Sequence, residues 1–420
     1  MESDVMKMPK TGRKWADVKA DLLDRGSDDV NWREGKTAVY IFNAGEDIAK
    51  VQKEAYTAYM SENGLGPAAF PSLAQMESDV LSMALDLLHG PDGSTGAMTS
   101  GGTDSITMAM KAARNYARTN GQALEQANIV LPRSAHLAFD KAAELMDIEV
   151  RRIALKTDNS FEADVNAMEA ACDSDTIMMV GSAPNFPHGI IDPITELGDA
   201  ADRKNVWLHV DACVGGYFAP FARINGAPVP AFDFEVPAVR SMSADLHKYG
   251  YAAKGASTVL YRSKELYEHM PFDFSCWSGA PMKTPTLAGT RPGGAISAAW
   301  SVMNYLGVEG YCRLQGEVCA TREKVEKGVT ALGFEILGNP ILGLIAFRHP
   351  EHNVFAIYGE MYRRGWITSA TKEPPSLHLM LSPKHSEFIG AYLEDLAASI
   401  QVIAERQASE AVPETEVRYS

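Results

Sequence analysis

Cysteine is scarce in this sequence. Five cysteines, at positions 172, 213, 276, 312 and 319, are spread over 420 residues, and no two of them form a CxxC pair or share a spacing typical of metal ligands. An odd, scattered set of this kind favours reduced thiols in a cytoplasmic protein over a disulfide-bonded one. An HExxH motif and clustered carboxylates are missing as well, and we therefore predict no metal site.

Long apolar runs and an excess of positive charge are also missing. No run approaches the roughly 18–20 residues that a membrane-spanning helix needs, and the most apolar stretch, residues 206–218, is interrupted by His209 and Asp211. The first residues lack the basic and apolar regions of a signal peptide, so we expect no membrane anchor. The net charge of −15 argues against a general nucleic-acid binder or a protein of anionic membrane surfaces.

What is present is the composition of a globular protein. Hydrophobic residues make up 46% and charged residues 22% of the chain, which argues against extensive disorder. A chain of 420 residues is long enough for two or three domains. From about residue 72 onward, short apolar runs alternate with helical patterns. This alternation is typical of βα units, and it predicts an α/β fold with a large, mostly parallel sheet covered on both faces.

The predicted elements divide the chain into three parts. Residues 1–60 are predicted to form a polar arm with one helix, and residues 61–309 to form the large domain. Residues 310–420 are predicted to form a small α+β domain whose tail frays from Ser409. In the large domain a capping-box pattern at Ser72 predicts a helix that ends at Gly90. Its other helices are predicted at 104–118 and 295–306, and its strands at 129–131, 150–155, 177–180, 206–210, 241–244 and 257–261. The small domain has predicted strands at 344–347, 366–368 and 377–381, and helices at 311–332, 354–363 and 385–406.

The most informative segment is a lysine loop, residues 243–250 (SADLHKYG), downstream of residues 209–216 (HVDACVGG). The amine of Lys248 suits a Schiff base with the aldehyde of pyridoxal phosphate (PLP), and Asp211, at a predicted strand end, suits the pyridinium nitrogen. A surface role for Lys248, the use of Lys254 in its place, and an N-capping role for Asp211 are the alternatives. The histidine immediately before Lys248 favours that lysine over Lys254.

Two glycine-rich segments suit a phosphate group. Residues 100–104 (SGGTD) open a predicted helix, where free backbone amides and two hydroxyls can hold an anion. Residues 288–294 (AGTRPGG) add a hydroxyl and an arginine. Each segment alone also fits an ordinary turn that caps or positions a helix. His136, at a predicted strand-to-helix turn, suits either stacking on a flat ring or a hydrogen bond to the backbone.

Six segments resemble the group II PLP-dependent decarboxylase family, and within it the sphingosine-1-phosphate lyase branch, in the family's order. They are residues 99–106 (TSGGTDSI), 134–143 (SAHLAFDKAA), 184–193 (PNFPHGIIDP), 209–216 (HVDACVGG), 241–255 (SMSADLHKYGYAAKG) and 285–294 (PTLAGTRPGG). The resemblance implies the type I PLP-dependent fold, which is aspartate-aminotransferase-like. It also implies a homodimer with active sites at the subunit interface.

The same resemblance implies the site residues, position by position. Three would act as Schiff-base lysine, ring-nitrogen partner and ring-stacking group: Lys248, Asp211 and His136. Four would hold the cofactor phosphate, the last of them from the other subunit: Gly102, Thr103, His247 and Thr290. Three would meet a small amine or amino-acid substrate, the last of them from the other subunit: Lys254, Asn63 and Tyr40.

One position departs from the lyase pattern. The lyases carry a histidine shortly before a Phe-Pro dipeptide, where it helps to bind substrate phosphate, and this sequence has Gly66 there. The first functional hypothesis is a carbon–carbon lyase that splits a β-hydroxy amine by a retro-aldol reaction. The alternative is an amino-acid decarboxylase, which would use the same electron sink to break a different bond at Cα. A non-catalytic PLP-binding protein is disfavoured, because Lys248, Asp211 and His136 occur together.

Overall fold

The larger part of the molecule is built on a seven-stranded sheet. The structure, a computed structural model, describes residues 6–122 and 126–407. The strands are β1 (Thr95–Thr99), β2 (Asn128–Pro132), β3 (Glu149–Ile153), β4 (Thr176–Ser182), β5 (Trp207–Asp211), β6 (Val239–Ala244) and β7 (Ser257–Tyr261). Their order across the sheet is β1-β7-β6-β5-β4-β2-β3. Neighbours from β6 to β3 are parallel, while β7 is antiparallel to both β1 and β6.

Helices cover both faces of this sheet. The helices of the larger part are α1 (Trp15–Arg25), α2 (Glu46–Ala58), α3 (Pro71–Leu87), α4 (Gly102–Thr119), α5 (Ala138–Met146), α6 (Val165–Ala170), α7 (Ile194–Lys204), α8 (Ala219–Ile224) and α9 (Lys264–Tyr267). Of these, α1 buries none of its residues. Successive strand residues point to opposite faces, so Met178 packs in the core with α4 and α5 while Met179 packs in the core with α7. The predicted mostly parallel, doubly covered sheet is confirmed.

A smaller antiparallel sheet follows in the C-terminal part. A hairpin of β8 (Phe272–Phe274) and β9 (Met282–Thr284) precedes the long helix α10 (Gly293–Ala331). The strands β10 (Glu335–Ile336), β11 (Leu344–Arg348), β12 (Ser369–Lys372) and β13 (Pro375–Met380) then lie in the order β10-β11-β13-β12. They are accompanied by α11 (Val354–Arg363) and α12 (Ile389–Gln407). The predicted small α+β part is confirmed, while the predicted tail from Ser409 lies outside the described residues.

The two helices predicted at 295–306 and 311–332 are joined in α10. Gly307 sits between them with φ 55° and ψ −175°, a backbone conformation that glycine adopts without steric cost. The helix therefore continues through a kink. The predicted domain boundary between residues 309 and 310 falls just after this kink, and it stays a prediction.

The N-terminal segment is fastened to the smaller sheet. The amide of Ala38 donates to the carbonyl of Ile367, and the amide of Ile367 donates to the carbonyl of Lys36, both at 2.8 Å. The Met380 amide donates to the carbonyl of Ala38, also at 2.8 Å. Two α-helices, α1 and α2, lie in the first 60 residues, so the prediction of one helix there was wrong.

Three further details differ from the sequence prediction. Helix α3 begins at Pro71 with Phe70 as its N-cap and no side-chain capping bond, so the capping box at Ser72 was wrong. The strand predicted at 366–368 is displaced to Ser369–Lys372, because Ile367 pairs with the N-terminal segment instead. Strand β1 was not predicted. Across residues 6–122 and 126–407, no helix combines the length and the apolarity needed to cross a bilayer.

Candidate active site

A cavity of about 460 Å³ opens at the carboxyl ends of the parallel strands, where ligands collect in open α/β sheets. Asp211 ends β5, Ser182 ends β4, and the lysine loop begins with the last two residues of β6. The turn after β5 passes very close to β4, since a Cβ atom at Gly215 would lie 2.0 Å from the carbonyl oxygen of Ala183. Glycine is therefore required there for the strand ends to converge on the cavity.

Asp211 presents an oriented carboxylate to the cavity. The residue is buried, with 7% of its surface exposed. Its Oδ1 accepts hydrogen bonds from the Cys213 amide at 3.0 Å and from the Ser243 hydroxyl at 3.2 Å. Two donors on one oxygen fix the plane of the carboxylate. Such a group suits a cationic N–H in the cavity, which would satisfy the buried charge.

Lys248 forms an ion pair with a carboxylate that was not predicted from the sequence. Its Nζ lies 2.9 Å from Oδ2 of Asp245, whose side chain is 2% exposed against 24% for the lysine. Burial is the largest single influence and disfavours the ammonium, but the surrounding negative groups, Asp245 foremost, together outweigh burial and raise the pKa of Lys248. Burial also opposes charge on Asp245, and the positive charge of Lys248 nevertheless lowers the pKa of Asp245. The amine must lose a proton before it can act as a nucleophile.

The predicted phosphate end of the cavity is the turn that opens α4. Asp104 shapes this turn, because its Oδ2 accepts from the amide and the hydroxyl of Ser100 at 3.0 and 3.1 Å. Gly102 and Thr103 are the first residues of the 18-residue helix, so their amides have no acceptor within it and the helix dipole favours an anion there. His247 lines the same cavity, and its buried Nδ1 has no hydrogen-bond partner among the described residues.

His136 forms another part of the cavity wall. Its Nδ1 accepts a hydrogen bond from the amide of Ala138 at 3.1 Å, so the proton of the neutral ring lies on Nε2. Burial lowers the pKa of His136, which favours this neutral form. The ring lies perpendicular to that of Phe186, with ring centroids 6.5 Å apart and planes at 90°. A neutral flat ring at this position is compatible with the predicted stacking role.

Lys254 and Tyr40 lie together at the cavity. Lys254 Nζ donates to the carbonyl of Tyr40 at 3.0 Å and to the carbonyl of His247 at 3.4 Å, and it lies 5.3 Å from the ring centroid of Phe42. The pKa of Lys254 is lowered mainly by burial and, to a smaller extent, by the positive charge of Lys248. Tyr40 was expected from the other subunit, but it lines the cavity of its own chain, because the pairing of the N-terminal segment with the smaller sheet carries it there.

Two predicted site residues lie outside this cavity. Asn63 uses its Oδ1 to accept the amide of Leu65 at 3.0 Å, and its backbone bridges to Pro292. Thr290 is exposed in the loop that precedes this proline. Neither residue lines the cavity of its own chain, so any contact of theirs with the cofactor or substrate requires a second copy of the chain.

The loops that carry these two residues are bound to each other. Arg291 Nη2 donates to the carbonyl of Gly64 at 3.1 Å, and the Gly64 amide donates to the carbonyl of Arg291 at 2.9 Å. Gly66 lies in the first of these loops. In the segment that leads into the second, four large apolar side chains are between 46% and 68% exposed: Phe272, Phe274, Trp277 and Leu287.

A second cavity of about 700 Å³ adjoins the first. His136 and Phe186 line both cavities. Most of the second wall is apolar, and four cationic side chains interrupt it: Arg133, Arg152, Lys156 and Lys372.

Sequence reasoning missed part of the cavity wall. Asp245 lies three residues before Lys248, and this spacing within a tight loop was the available signal for their ion pair. Phe42, Phe186 and Cys213 also line the cavity. Cys213 and Phe186 lie within the quoted segments 209–216 and 184–193, whereas no local pattern marks Phe42, which reaches the cavity through the packing of a distant segment.

The residues around the cavity fit one cofactor. A lysine amine suits an aldehyde, a buried oriented carboxylate suits a pyridinium nitrogen, and the first amides of α4 suit a phosphate. The donor set therefore fits PLP, and fold and site together define a PLP-dependent enzyme of the α/β class.

Comparison with known sequences gives the family. The profile described as the pyridoxal-dependent decarboxylase conserved domain matches residues 3–350. The chain belongs to this family of PLP-dependent lyases, and the predicted family, fold class and cofactor are confirmed.

Three members of the family with known names or structures are similar to this chain. A sphingosine-1-phosphate lyase of Oryza sativa subsp. japonica is 39% identical over 393 residues, covering 91% of this chain and 72% of that protein. A probable L-tyrosine/L-aspartate decarboxylase of Methanothermobacter thermautotrophicus is 31% identical over 345 residues, covering 82% of this chain and 92% of that protein. The solved structure of a sphingosine-1-phosphate lyase of Burkholderia pseudomallei is 32% identical with a TM-score of 0.91, covering 96% of this chain and 94% of that one.

Proposed function

We propose that this protein is a PLP-dependent carbon–carbon lyase, which cleaves a β-hydroxy amine into an aldehyde and a smaller amine. The observation that carries the proposal is Lys254, a second amine at the cavity that holds Lys248. Its pKa is lowered by burial and by Lys248, so it can take a proton from a substrate hydroxyl. A decarboxylation has no such hydroxyl proton to remove. The greater identity to the rice lyase than to the archaeal decarboxylase supports the same assignment.

Each residue of the site has its own role in the proposed reaction. Bound PLP supplies an electron sink for the carbon adjacent to the substrate nitrogen. Lys248 holds the cofactor and afterwards returns a proton to that carbon, while Asp211 keeps a proton on the ring nitrogen. His136 would stack on the cofactor ring. Lys254 removes the β-hydroxyl proton, the Cα–Cβ bond breaks, and the oxygen becomes the carbonyl of the leaving aldehyde.

The adjoining cavity supports a substrate longer than an ordinary amino acid. It shares His136 and Phe186 with the catalytic cavity, and its volume is about 700 Å³. An apolar chain attached to the β-carbon would fit its largely apolar wall.

Phosphate recognition depends on the loop around Gly66. Since Gly66 replaces a histidine in the lyase pattern, this chain lacks one donor for a substrate phosphate. We expect weaker use of phosphorylated substrates than in the lyases, and the Gly66→His variant should lower the KM for sphingosine 1-phosphate. An unchanged KM would mean that this loop does not meet the substrate phosphate.

A homodimer with shared active sites is part of the proposal. Asn63, Gly66 and Thr290 lie on two loops that hydrogen-bond to each other away from the cavity of their own chain, beside exposed apolar side chains. Contact of this surface with a second copy would bury the apolar groups and bring Thr290 to the other cavity. The molecular mass in solution tests this part.

A decarboxylase is the second candidate, favoured by one observation. A probable L-tyrosine/L-aspartate decarboxylase is 31% identical to this chain over 345 residues. Product analysis separates the two functions. Incubation with sphingosine 1-phosphate and with smaller β-hydroxy amino acids should release an aldehyde, whereas release of carbon dioxide from L-tyrosine or L-aspartate would favour the decarboxylase.

A further inference from the structure

Behind Asp211 lies a buried row of hydrogen-bonded side chains that lines neither of the two cavities described above. Strands β5 and β6 are paired so that His209 lies opposite Ser241, and Asp211 lies opposite Ser243. Trp207, two residues before His209, points to the same face. All of these side chains except Asp211 are 1% exposed or less.

The bonds run continuously from Trp207 to the carboxylate. Trp207 Nε1 donates to Ser241 Oγ at 2.7 Å, and this oxygen lies 2.8 Å from His209 Nδ1. On the other side of the ring, His209 Nε2 lies 3.3 Å from Ser243 Oγ, which donates to Asp211 Oδ1 at 3.2 Å.

The carboxylate end of this row dictates the proton positions, and the indole end is compatible with them. An indole N–H can only donate, so Ser241 accepts from Trp207, and its own proton is available for His209 Nδ1. A carboxylate can only accept, so Ser243 gives its proton to Asp211 and receives one from His209 Nε2. Burial lowers the pKa of His209 to about 4, which keeps the ring neutral with its single proton on Nε2.

We infer that Trp207, Ser241, His209 and Ser243 form a directional relay that positions Asp211 for the cofactor, with His209 locked in its Nε2–H tautomer. The inference rests on the proposed pairing of Asp211 with the ring nitrogen of PLP. Oδ1 receives both of the hydrogen bonds given to Asp211, from Ser243 and from the Cys213 amide. Oδ2 is therefore the oxygen offered to the ring nitrogen.

The relay also strengthens the donor that acts on Asp211. A hydroxyl that accepts a hydrogen bond becomes a better donor, because bonds in a chain polarise one another. Ser243 is in this position through His209. His209, Ser241 and Ser243 are thus positioning residues, since none of them lines the cavity.

The first test reads the tautomer directly. In protein with ¹⁵N-labelled histidine, the ring resonances of His209 are identified by their loss in the His209→Gln variant. The relay predicts a protonated Nε2 and an unprotonated Nδ1 in the wild type. A proton on Nδ1 would overturn it, and the protonation itself is read on the wild-type protein.

The second test measures the affinity of the apoprotein for two ligands, PLP and an analogue in which CH replaces the ring nitrogen. Ser243→Ala removes one hydrogen bond to a charged group, and we expect it to raise the Kd for PLP about tenfold. The Kd for the analogue should stay within about twofold of that of the wild type, because the analogue has no N–H for Asp211. Thr176→Val is the matched control, since Thr176 is a buried hydroxyl at the other end of the sheet, bonded to Asn128. It should lower the Tm and leave both affinities unchanged.

Two outcomes of the second test would contradict the relay. One is an unchanged Kd for PLP in Ser243→Ala. The other is an equal loss of affinity for PLP and the analogue, which would show a general structural effect. The Asp211→Asn variant tests the proposed pairing of Asp211 with PLP separately. If this variant bound PLP as tightly as the wild type, that pairing would be wrong. The tautomer measurement would still show whether the hydrogen bonds behind Asp211 run in the inferred direction.

Discussion

Replacement of Asp245 by Asn should destabilise the apoprotein by about 2–3 kcal/mol at pH 7. The variant removes the carboxylate that lies 2.9 Å from Lys248 Nζ and keeps the shape of the side chain. At that distance and an effective dielectric constant of about 20, the attraction amounts to roughly 6 kcal/mol before desolvation of the two charges is subtracted. Loss of one partner from a buried pair costs about 3–5 kcal/mol. The lysine is 24% exposed, so solvent screening places the expected change below that range.

The pH dependence of this contribution follows from the two pKa shifts. The pKa of Lys248 is raised, so its contribution is complete below the unfolded lysine value and is lost only as the pH rises through the folded value. The pKa of Asp245 is lowered, so its contribution is complete above the unfolded value of about 4 and is lost as the pH falls through the folded value. Both contributions are therefore fully present at pH 7.

Urea unfolding of the two apoproteins measures the change. Glu268→Gln is the control, because it breaks an exposed pair with Lys283 at 2.7 Å and should change the free energy of unfolding by less than about 1 kcal/mol. A change for Asp245→Asn no larger than that of the control would refute the reasoning. The variant should also take up PLP faster at pH 7, because the pKa of Lys248 falls and more of its amine is neutral. Slower uptake would indicate that Asp245 instead helps Lys248 to lose its proton.

Three further predictions concern individual side chains. Lys248→Ala should abolish the visible absorbance of the holoprotein and the mass increase that borohydride treatment leaves on the wild type; a retained adduct would point to Lys254. Lys254→Met should keep the absorbance and lower kcat about 100-fold or more through loss of a general base, whereas the exposed Lys50→Met should leave kcat unchanged. Thr290→Val should weaken PLP binding, and mixing this variant with Lys248→Ala should restore part of the activity if Thr290 acts in the other subunit; no recovery in verified mixed dimers would place both residues in one site.

Most of the larger sheet was predictable from the sequence, because its central strands are fully buried. Strands such as β4 and β5 are short apolar runs followed by helical patterns, and this signal is local. Strand β1 was missed because its sequence, TGAMT, carries neither an apolar run nor a clear alternation. It becomes a strand through pairing with β7, which lies far along the chain.

The residues of the candidate site were predictable to the extent that they lie in short motifs. Lys248, His247 and Asp211 stand next to glycine-rich turns and strand ends, and all three line the cavity. The position of Tyr40 was not predictable, since it depends on the pairing of Ala38 with Ile367 and Met380. No pattern within the first 60 residues indicates this pairing.

The ion pair of Asp245 with Lys248 shows a similar limit. Spacing in sequence placed the two residues near each other, but only the folded loop shows that the carboxylate is buried and directed at the amine. The row behind Asp211 has the same origin, because the register of β5 and β6 aligns His209 with Ser241 and Asp211 with Ser243.

The most direct test of the central claim is product analysis of the holoenzyme with sphingosine 1-phosphate and with smaller β-hydroxy amino acids. Wild-type protein is compared with Lys248→Ala, and aldehyde, amine and carbon dioxide are quantified together. The proposed function predicts one aldehyde for each amine released, in amounts that depend on Lys248, and no carbon dioxide. Carbon dioxide without aldehyde, from these substrates or from L-tyrosine or L-aspartate, would contradict it.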